Sequence, residues 1–106
     1  MKDSEPLDMT SEEFRRWGHH AIDWIAEYMA KPEKYPVLAN VEPGMIRNQL
    51  PSSAPETSES MSEIFADLER IIVPGITHWN HPDFFAYFAH TASGPGILGE
   101  LLVAAF

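Results

Sequence analysis

The 106-residue sequence contains no cysteine, only seven lysine and arginine residues, and no apolar run of the length that crosses a bilayer. Without cysteine, disulfide frameworks, thiolate zinc sites and cysteine nucleophiles are excluded. The 16 Asp and Glu residues set the formal charge at -9, which argues against binding to nucleic acid or to an anionic membrane surface. The first residues form no signal-peptide core. We therefore expect a small cytoplasmic protein without nucleic-acid or membrane partners.

Two short polar motifs predict the starts of two amphipathic helices. Thr10-Ser11-Glu12-Glu13 and Ser60-Met61-Ser62-Glu63 both fit the capping box, in which the first and last side chains bind free backbone N–H groups of the first turn. Prolines should end these helices, at Pro32 and at Pro74-Gly75. Apolar residues at helical spacing predict a wide aromatic stripe on the first helix. This stripe comprises Phe14, Trp17, Ala21, Ile22, Trp24, Ile25, Tyr28 and Met29.

The segment between the two helices is punctuated by proline and serine. Val37-Leu38 is predicted to lie under the first helix, and Met45 to Leu50 to form one or two helical turns. Residues 51–59 have the composition of a linker.

The last third of the chain begins with an aromatic run. Phe84 to Phe88 is predicted to be extended, bounded by Pro82 and by a turn at Gly94-Pro95-Gly96. Residues 97–106 then start a helix that is apolar nearly all round and has no C-terminal cap, as in helices buried inside a larger body. We expect an all-α segment: two long amphipathic helices, an extended aromatic loop and the start of a third helix, all belonging to the front part of a larger protein.

Three histidines raise the possibility of a metal site. On a helix, His78 and His81 would share one face, and His90 is near in sequence. Pro82 disfavours a helix at His81, however, and no carboxylate pair completes a ligand set. We favour a turn in which the histidine side chains bind backbone groups, and we assign His19-His20 to the solvated face of the first helix.

Five strings, in this order, resemble the N-terminal segment of the group II pyridoxal-phosphate-dependent amino-acid decarboxylases. The closest branch is that of the aromatic-L-amino-acid decarboxylases, and the resemblance extends from about Thr10 to the end of the chain. The strings are Tyr35-Pro36-Val37-Leu38, Val41-Glu42-Pro43-Gly44, Ile72-Val73-Pro74-Gly75-Ile76-Thr77-His78-Trp79, His81-Pro82 and Phe84-Phe85-Ala86-Tyr87-Phe88.

The resemblance implies an enzyme of fold type I that uses pyridoxal 5'-phosphate and works as a homodimer with swapped N-terminal segments. Residues 1–9 would be a disordered leader, 10–76 the helical dimerisation segment, and 77–106 the aromatic pocket loop and the start of the large domain. The lysine that holds the coenzyme lies further downstream in the family, and no lysine of this chain matches it. We therefore expect this segment alone to be inactive and to contain no catalytic residue and no metal ligand.

The resemblance also implies which residues touch the substrate. In the family, Trp79 and the Tyr87-Phe88 pair would line the pocket for a flat aromatic side chain. Many relatives have Pro-Thr or Pro-Ser after that phenylalanine, whereas this chain has Ala89-His90. His90 is a candidate donor to the substrate carboxylate, and Thr91 is the alternative.

Other functions stay open at this point. A truncated or split gene product could act as a non-catalytic helical interaction module, and a small histidine metal binder is a third hypothesis. Within the family, decarboxylases and oxidative aldehyde synthases share this segment, so the sequence does not choose between them or name the amino acid.

Overall fold

The computed structural model describes residues 9–85 and 92–106. Helix α1 spans Ser11–Ala30. The Thr10 hydroxyl accepts from the Glu13 N–H at 3.2 Å, and Glu13 Oε2 accepts from the Thr10 N–H at 3.2 Å. The predicted capping box is therefore confirmed. The helix ends before Pro32 as predicted, and a 3-10 turn follows at Pro32–Lys34.

Helix α2 is short and spans Met45–Gln49. It starts after Gly44, whose φ of 91° lies in the left-handed region that glycine tolerates and L side chains rarely adopt. The prediction of one or two helical turns here is confirmed. Residues 50–60 contain no helix and are exposed, as expected of a linker.

Helix α3 spans Met61–Asp67 and begins with the second predicted capping box at Ser60. The chain then continues as a π-helical turn at Leu68–Ile72, which we call the π segment, and as a 3-10 turn at Val73–Gly75. The helical stretch ends at Gly75, which confirms the predicted end at Pro74-Gly75, and Pro74 itself lies within the last turn. A proline in the first turn of a new helical element loses no hydrogen bond, because the N–H groups of that turn have no partner within the element.

Helix α4 spans Gly94–Ala104. It begins at Gly94 rather than at Ile97, so the expected turn at Gly94-Pro95-Gly96 is instead its first turn. Ser93 caps it by accepting a 3.1 Å hydrogen bond from the Gly96 N–H, and Pro95 occupies a position where a proline is favoured.

All regular structure in residues 9–85 and 92–106 is helical, which confirms the all-α prediction for this segment. Phe84 and Phe85 lie outside any helix, in agreement with the predicted aromatic loop. The remainder of that run, residues 86–88, lies outside the described residues.

Aromatic rings join α1 to α3. Trp17 stacks on Phe65 with 5.8 Å between ring centroids, and His20 meets Phe65 edge-on at 4.5 Å. His19 and His20 are both exposed, as predicted for the solvated face of α1, and the ring of His20 also contacts Phe65. Leu38 is 71% exposed, so it does not lie under α1 as predicted.

Few described side chains are buried. Ile71 and Val73, at 1% and 5% exposure, form the apolar centre, together with His78 at 2%. Large apolar residues on α4 face solvent in the single chain, among them Leu102 and Val103. The radius of gyration is 16.9 Å, against about 13 Å for a compact domain of this size. The segment is therefore elongated and has only a small buried centre.

Within residues 9–85 and 92–106, no helix has both the length and the apolar character needed to cross a membrane.

Candidate functional site: an aromatic loop and its histidine anchor

His78 uses every hydrogen-bonding group it has. Its backbone N–H donates to the Val37 carbonyl at 3.2 Å, and its carbonyl accepts from the His81 N–H at 3.0 Å. Its Nδ1 lies 2.6 Å from the Tyr28 hydroxyl, and its Nε2 lies 3.1 Å from the Val73 carbonyl. His78 therefore ties together α1, the 3-10 turn after the π segment, and the chain near Val37.

The acceptors around the ring define the tautomer of His78. A carbonyl oxygen only accepts, so Nε2 must carry the proton that is donated to Val73. In the neutral ring, Nδ1 then has a lone pair and accepts from the Tyr28 hydroxyl. Both ring nitrogens of this buried side chain are satisfied, which removes the cost of burying them.

Two tyrosine rings lie against the imidazole and against each other. Tyr35 stacks on His78 with 4.8 Å between centroids, and Tyr28 lies 5.3 Å from Tyr35. Burial raises the pKa of the Tyr28 hydroxyl above its ordinary value, and the nearby Tyr35 raises that pKa further. Tyr28 therefore remains a hydrogen-bond donor to His78 across the neutral pH range.

The loop after His78 consists of two consecutive turns. The first is closed by the His81 N–H and the His78 carbonyl, and the second by the Phe84 N–H and the His81 carbonyl, both at 3.0 Å. These turns bring Trp79 and Phe84 face to face, with ring centroids 5.5 Å apart and an angle of 18° between the planes. The result is a stacked aromatic platform formed by Trp79 and Phe84.

The histidines of this loop bind backbone groups. His81 Nδ1 accepts a 3.0 Å hydrogen bond from the Asp83 N–H, and His78 Nε2 donates to a carbonyl. In residues 9–85 and 92–106, no group of His, Asp and Glu side chains is arranged to hold a metal ion. The interpretation of these two histidines as turn-forming residues is confirmed.

Asn80 links the loop to the entrance of α4. Its Oδ1 accepts a 3.1 Å hydrogen bond from the Ala92 N–H, twelve positions further along the chain. The sequence interpretation did not single out Asn80, since neither its type nor its spacing pointed to Ala92.

The predicted site residues divide into two groups. Trp79 is 49% exposed and lies on the aromatic platform, which suits a residue that contacts a ligand. Tyr87, Phe88 and His90, and Thr91 as the alternative to His90, lie outside the described residues. Phe84 was missed as a member of the site. Phe84 belongs to the predicted aromatic run. The sequence does not show which ring of that run stacks on Trp79, because the pairing depends on the two turns.

A second feature is a cavity of about 250 Å³ beside α1. Two carboxylates and one ammonium group lie in its wall, so its charge is net negative and disfavours the phosphate of a pyridoxal coenzyme. The lining residues are Trp24, Glu27, Tyr28, Lys34, Tyr35, Glu69 and Val73. The cavity does not fit the coenzyme implied by the resemblance, and we assign no coenzyme contact to the described residues.

The comparisons with known proteins identify the family. The conserved domain of the pyridoxal-dependent decarboxylases matches residues 43–106, more than half of the chain. The chain belongs to the pyridoxal-dependent decarboxylase family. Phenylacetaldehyde synthase of a Rosa hybrid cultivar is 54% identical over 95 residues, which cover 90% of this chain and 19% of the relative. Tyrosine decarboxylase 4 of Petroselinum crispum is 52% identical over 95 residues, with the same coverage of 90% and 19%.

Solved structures of the family contain the same fold. Catharanthus roseus tryptophan decarboxylase, in complex with L-tryptophan, superposes with a TM-score of 0.85 and 41% identity over 94% of this chain and 21% of that chain. Oryza sativa TDC, with PLP and tryptamine, also has a TM-score of 0.85, with 37% identity over 97% of this chain and 21% of that chain. The resemblance stated from the sequence is thus confirmed at the level of the family. The chain spans about one fifth of the length of these relatives.

Proposed function

We propose that this chain is the N-terminal part of a pyridoxal-phosphate-dependent carboxy-lyase that removes the α-carboxylate from aromatic L-amino acids. The superposition of 94% of the chain on a tryptophan decarboxylase that holds L-tryptophan carries this proposal. When bound, the coenzyme supplies the electron sink for loss of carbon dioxide. The residues that hold the coenzyme belong to the rest of the enzyme, so the 106-residue chain by itself is inactive.

Within that enzyme, the loop from His78 to Phe85 supplies part of the substrate-pocket wall. The Trp79–Phe84 platform offers a flat apolar surface, and half of the Trp79 side chain is open to contact. A flat surface of this kind suits an aromatic side chain through offset stacking and apolar burial. We assign Tyr87 and Phe88 to the same wall, and His90 to the substrate carboxylate, on the resemblance alone.

The second role of the segment is to form a homodimer in which N-terminal segments are exchanged. The large apolar side chains that face solvent in the single chain support this role, since such patches mark surfaces that a partner covers. Phe14 and Ile22 on α1 are 63% and 43% exposed. We place the dimer in the cytoplasm, in accordance with the acidic, cysteine-free sequence.

The activity is tested with the full-length protein and its coenzyme. Carbon dioxide release is measured with L-tyrosine, L-tryptophan, L-phenylalanine and L-DOPA, and the organic product is identified. Trp79→Ala should raise KM more than Trp79→Phe, because only phenylalanine preserves an aromatic face for stacking. If no aromatic amino acid releases carbon dioxide, the interpretation as a non-catalytic helical module takes the place of this proposal.

A second candidate activity is oxidative formation of an aldehyde. The relatives include a phenylacetaldehyde synthase and, among solved structures, the Rhodiola rosea 4-hydroxyphenylacetaldehyde synthase, with a TM-score of 0.83 and 41% identity. The same assay separates the two activities. An amine without oxygen consumption supports the decarboxylase, and an aldehyde with oxygen consumption supports the synthase.

The dimer is tested by light scattering on the full-length protein and on a version without residues 1–76. The full-length protein should have the mass of a dimer, and the shortened version should have the mass of a monomer or precipitate. A stable dimer after the deletion would contradict the proposed role of this segment. As a check on inactivity, the 106-residue chain should lose all coenzyme absorbance on dialysis.

A further inference from the structure

We infer that His78 is a positioning residue for the substrate pocket and that Tyr28, on α1, completes it by fixing the orientation of the imidazole ring. The inference rests on the proposed role of Trp79 in the pocket wall. It assigns a part in substrate binding to two residues that do not touch the substrate themselves.

The first step of the argument is the chain connection between His78 and Trp79. Neighbouring Cα atoms are about 3.8 Å apart, so the place of His78 determines where Trp79 begins. The backbone of His78 is bound on both sides, to Val37 and to His81. The second of these bonds closes the turn that contains Trp79. A displacement of His78 therefore moves the aromatic platform with it.

The second step concerns the ring of His78. An imidazole bound at one nitrogen can still swing about that bond, whereas a ring bound at both nitrogens has one orientation. Here Tyr28 binds Nδ1 and the Val73 carbonyl binds Nε2, at 2.6 and 3.1 Å. These partners belong to different elements, α1 and the turn after the π segment. The ring thus locks the aromatic loop to both elements at once.

The third step separates this role from simple core filling. An apolar side chain would fill the same volume without requiring two partners. Replacing Tyr28 by phenylalanine keeps its ring and removes only the hydroxyl, so the packing around His78 changes little. What changes is that Nδ1 of a buried imidazole loses its partner, so hydrogen bonds no longer fix the ring at both nitrogens.

The test is steady-state kinetics on the full-length enzyme with its best aromatic substrate. Tyr28→Phe should raise KM about three- to tenfold with little change in kcat, since a displaced wall weakens binding of the substrate and the transition state alike. Tyr35→Phe is the matched control. It removes a hydroxyl from the neighbouring ring of the same cluster and leaves the Tyr28–His78 bond in place, so its KM should stay within about twofold.

A double-mutant cycle provides the second measurement. In His78→Gln, the side-chain amide reaches towards the Val73 carbonyl, as Nε2 does, but the bond to Tyr28 is lost. If the two residues act as one unit, His78→Gln combined with Tyr28→Phe should raise KM no more than His78→Gln alone.

The outcomes are distinct. A lower yield of folded enzyme with unchanged KM in Tyr28→Phe would mean a structural role only, and would overturn the inference. Equal KM changes in Tyr28→Phe and Tyr35→Phe would overturn it as well. A wild-type enzyme that acts on no aromatic amino acid would instead refute the proposed function, before any variant is compared.

Discussion

The indole N–H of Trp24 donates a 3.0 Å hydrogen bond to Oε1 of Glu69 and so joins α1 to the π segment, 45 positions away along the chain. A few residues further on, the Tyr28–His78 bond joins α1 to the aromatic loop. Helix α1 is therefore held to the rest of the segment by directed polar bonds as well as by the stacking of its rings on α3.

Trp24→Phe should lower the free energy of unfolding by about 1 kcal/mol, because it removes the donor and leaves the Glu69 carboxylate unpaired. Urea unfolding of the full-length protein, followed by circular dichroism, measures this. Glu69→Gln is the control, since the amide retains an oxygen that accepts from the indole. If Glu69→Gln is as destabilising as Trp24→Phe, the charge and not the hydrogen bond stabilises this contact.

Gly75→Ala should destabilise the chain by about 1–3 kcal/mol through overpacking. A methyl group added at Gly75 would overlap the end of the Ile46 side chain and lie 2.8 Å from its Cγ1. Ile46→Ala removes those atoms, so the double variant should lose less stability than the sum of the two single variants. Purely additive losses in the same urea assay would mean that α2 and the turn at Gly75 do not meet in solution.

Alkaline pH should destabilise the packing around Tyr28. Its pKa is raised in the folded chain, first by burial and then by Tyr35, so the unfolded chain loses the hydroxyl proton at a lower pH than the folded chain does. Stability is therefore fully present below the ordinary pKa of about 10 and is lost as pH rises through the raised folded value. Urea midpoints measured across this range should fall.

Two variants assign that loss to Tyr28. Tyr28→Phe should flatten the alkaline fall, and Tyr35→Phe should reduce it, because Tyr35 supplies only the smaller part of the shift. A fall of the same size in Tyr28→Phe would assign the alkaline sensitivity to other groups.

Asn80→Ala should weaken the link between the aromatic loop and the start of α4 by about 0.5–1.5 kcal/mol, since the Ala92 N–H loses its acceptor. Asn80→Asp preserves an oxygen at the same position and should retain most of the stability. Thermal unfolding of the two variants, side by side, measures the difference. Similar losses for both would mean that the Asn80 acceptor does not stabilise this link.

The parts of the fold that depend on neighbours in sequence were predictable. The side chains of Thr10 and Ser60 accept hydrogen bonds from N–H groups three residues further along the chain. A four-residue motif was therefore enough to locate both helix starts. The ends of elements were harder. Pro74 and Pro95 each sit in the first turn of a new element, where proline is accepted, so a residue that usually breaks helices instead opens one.

For the candidate site, the sequence predicted the residue types but not the contacts between them. The sequence located an aromatic, histidine-bearing stretch and favoured backbone-binding histidines, but it could not predict that His78 is buried. That burial depends on Tyr28, 50 positions earlier, and on the Val73 carbonyl in the turn after the π segment. Likewise, the pairing of Trp79 with Phe84 follows from two turns whose closure cannot be read from residue types alone.

The π segment makes this part of the chain tolerant of a change in length. A π-helical turn holds one more residue than an α-helical turn over about the same rotation, so deleting a single residue from Leu68–Ile72 would restore an ordinary helix. The chain that follows would keep its direction about the helix axis. The same deletion within α1 has no extra residue to absorb it and would turn every later side chain of that helix by about 100°. The π segment is therefore the place where the helical chain that leads to Val73 and His78 can lose a residue with the least change in direction.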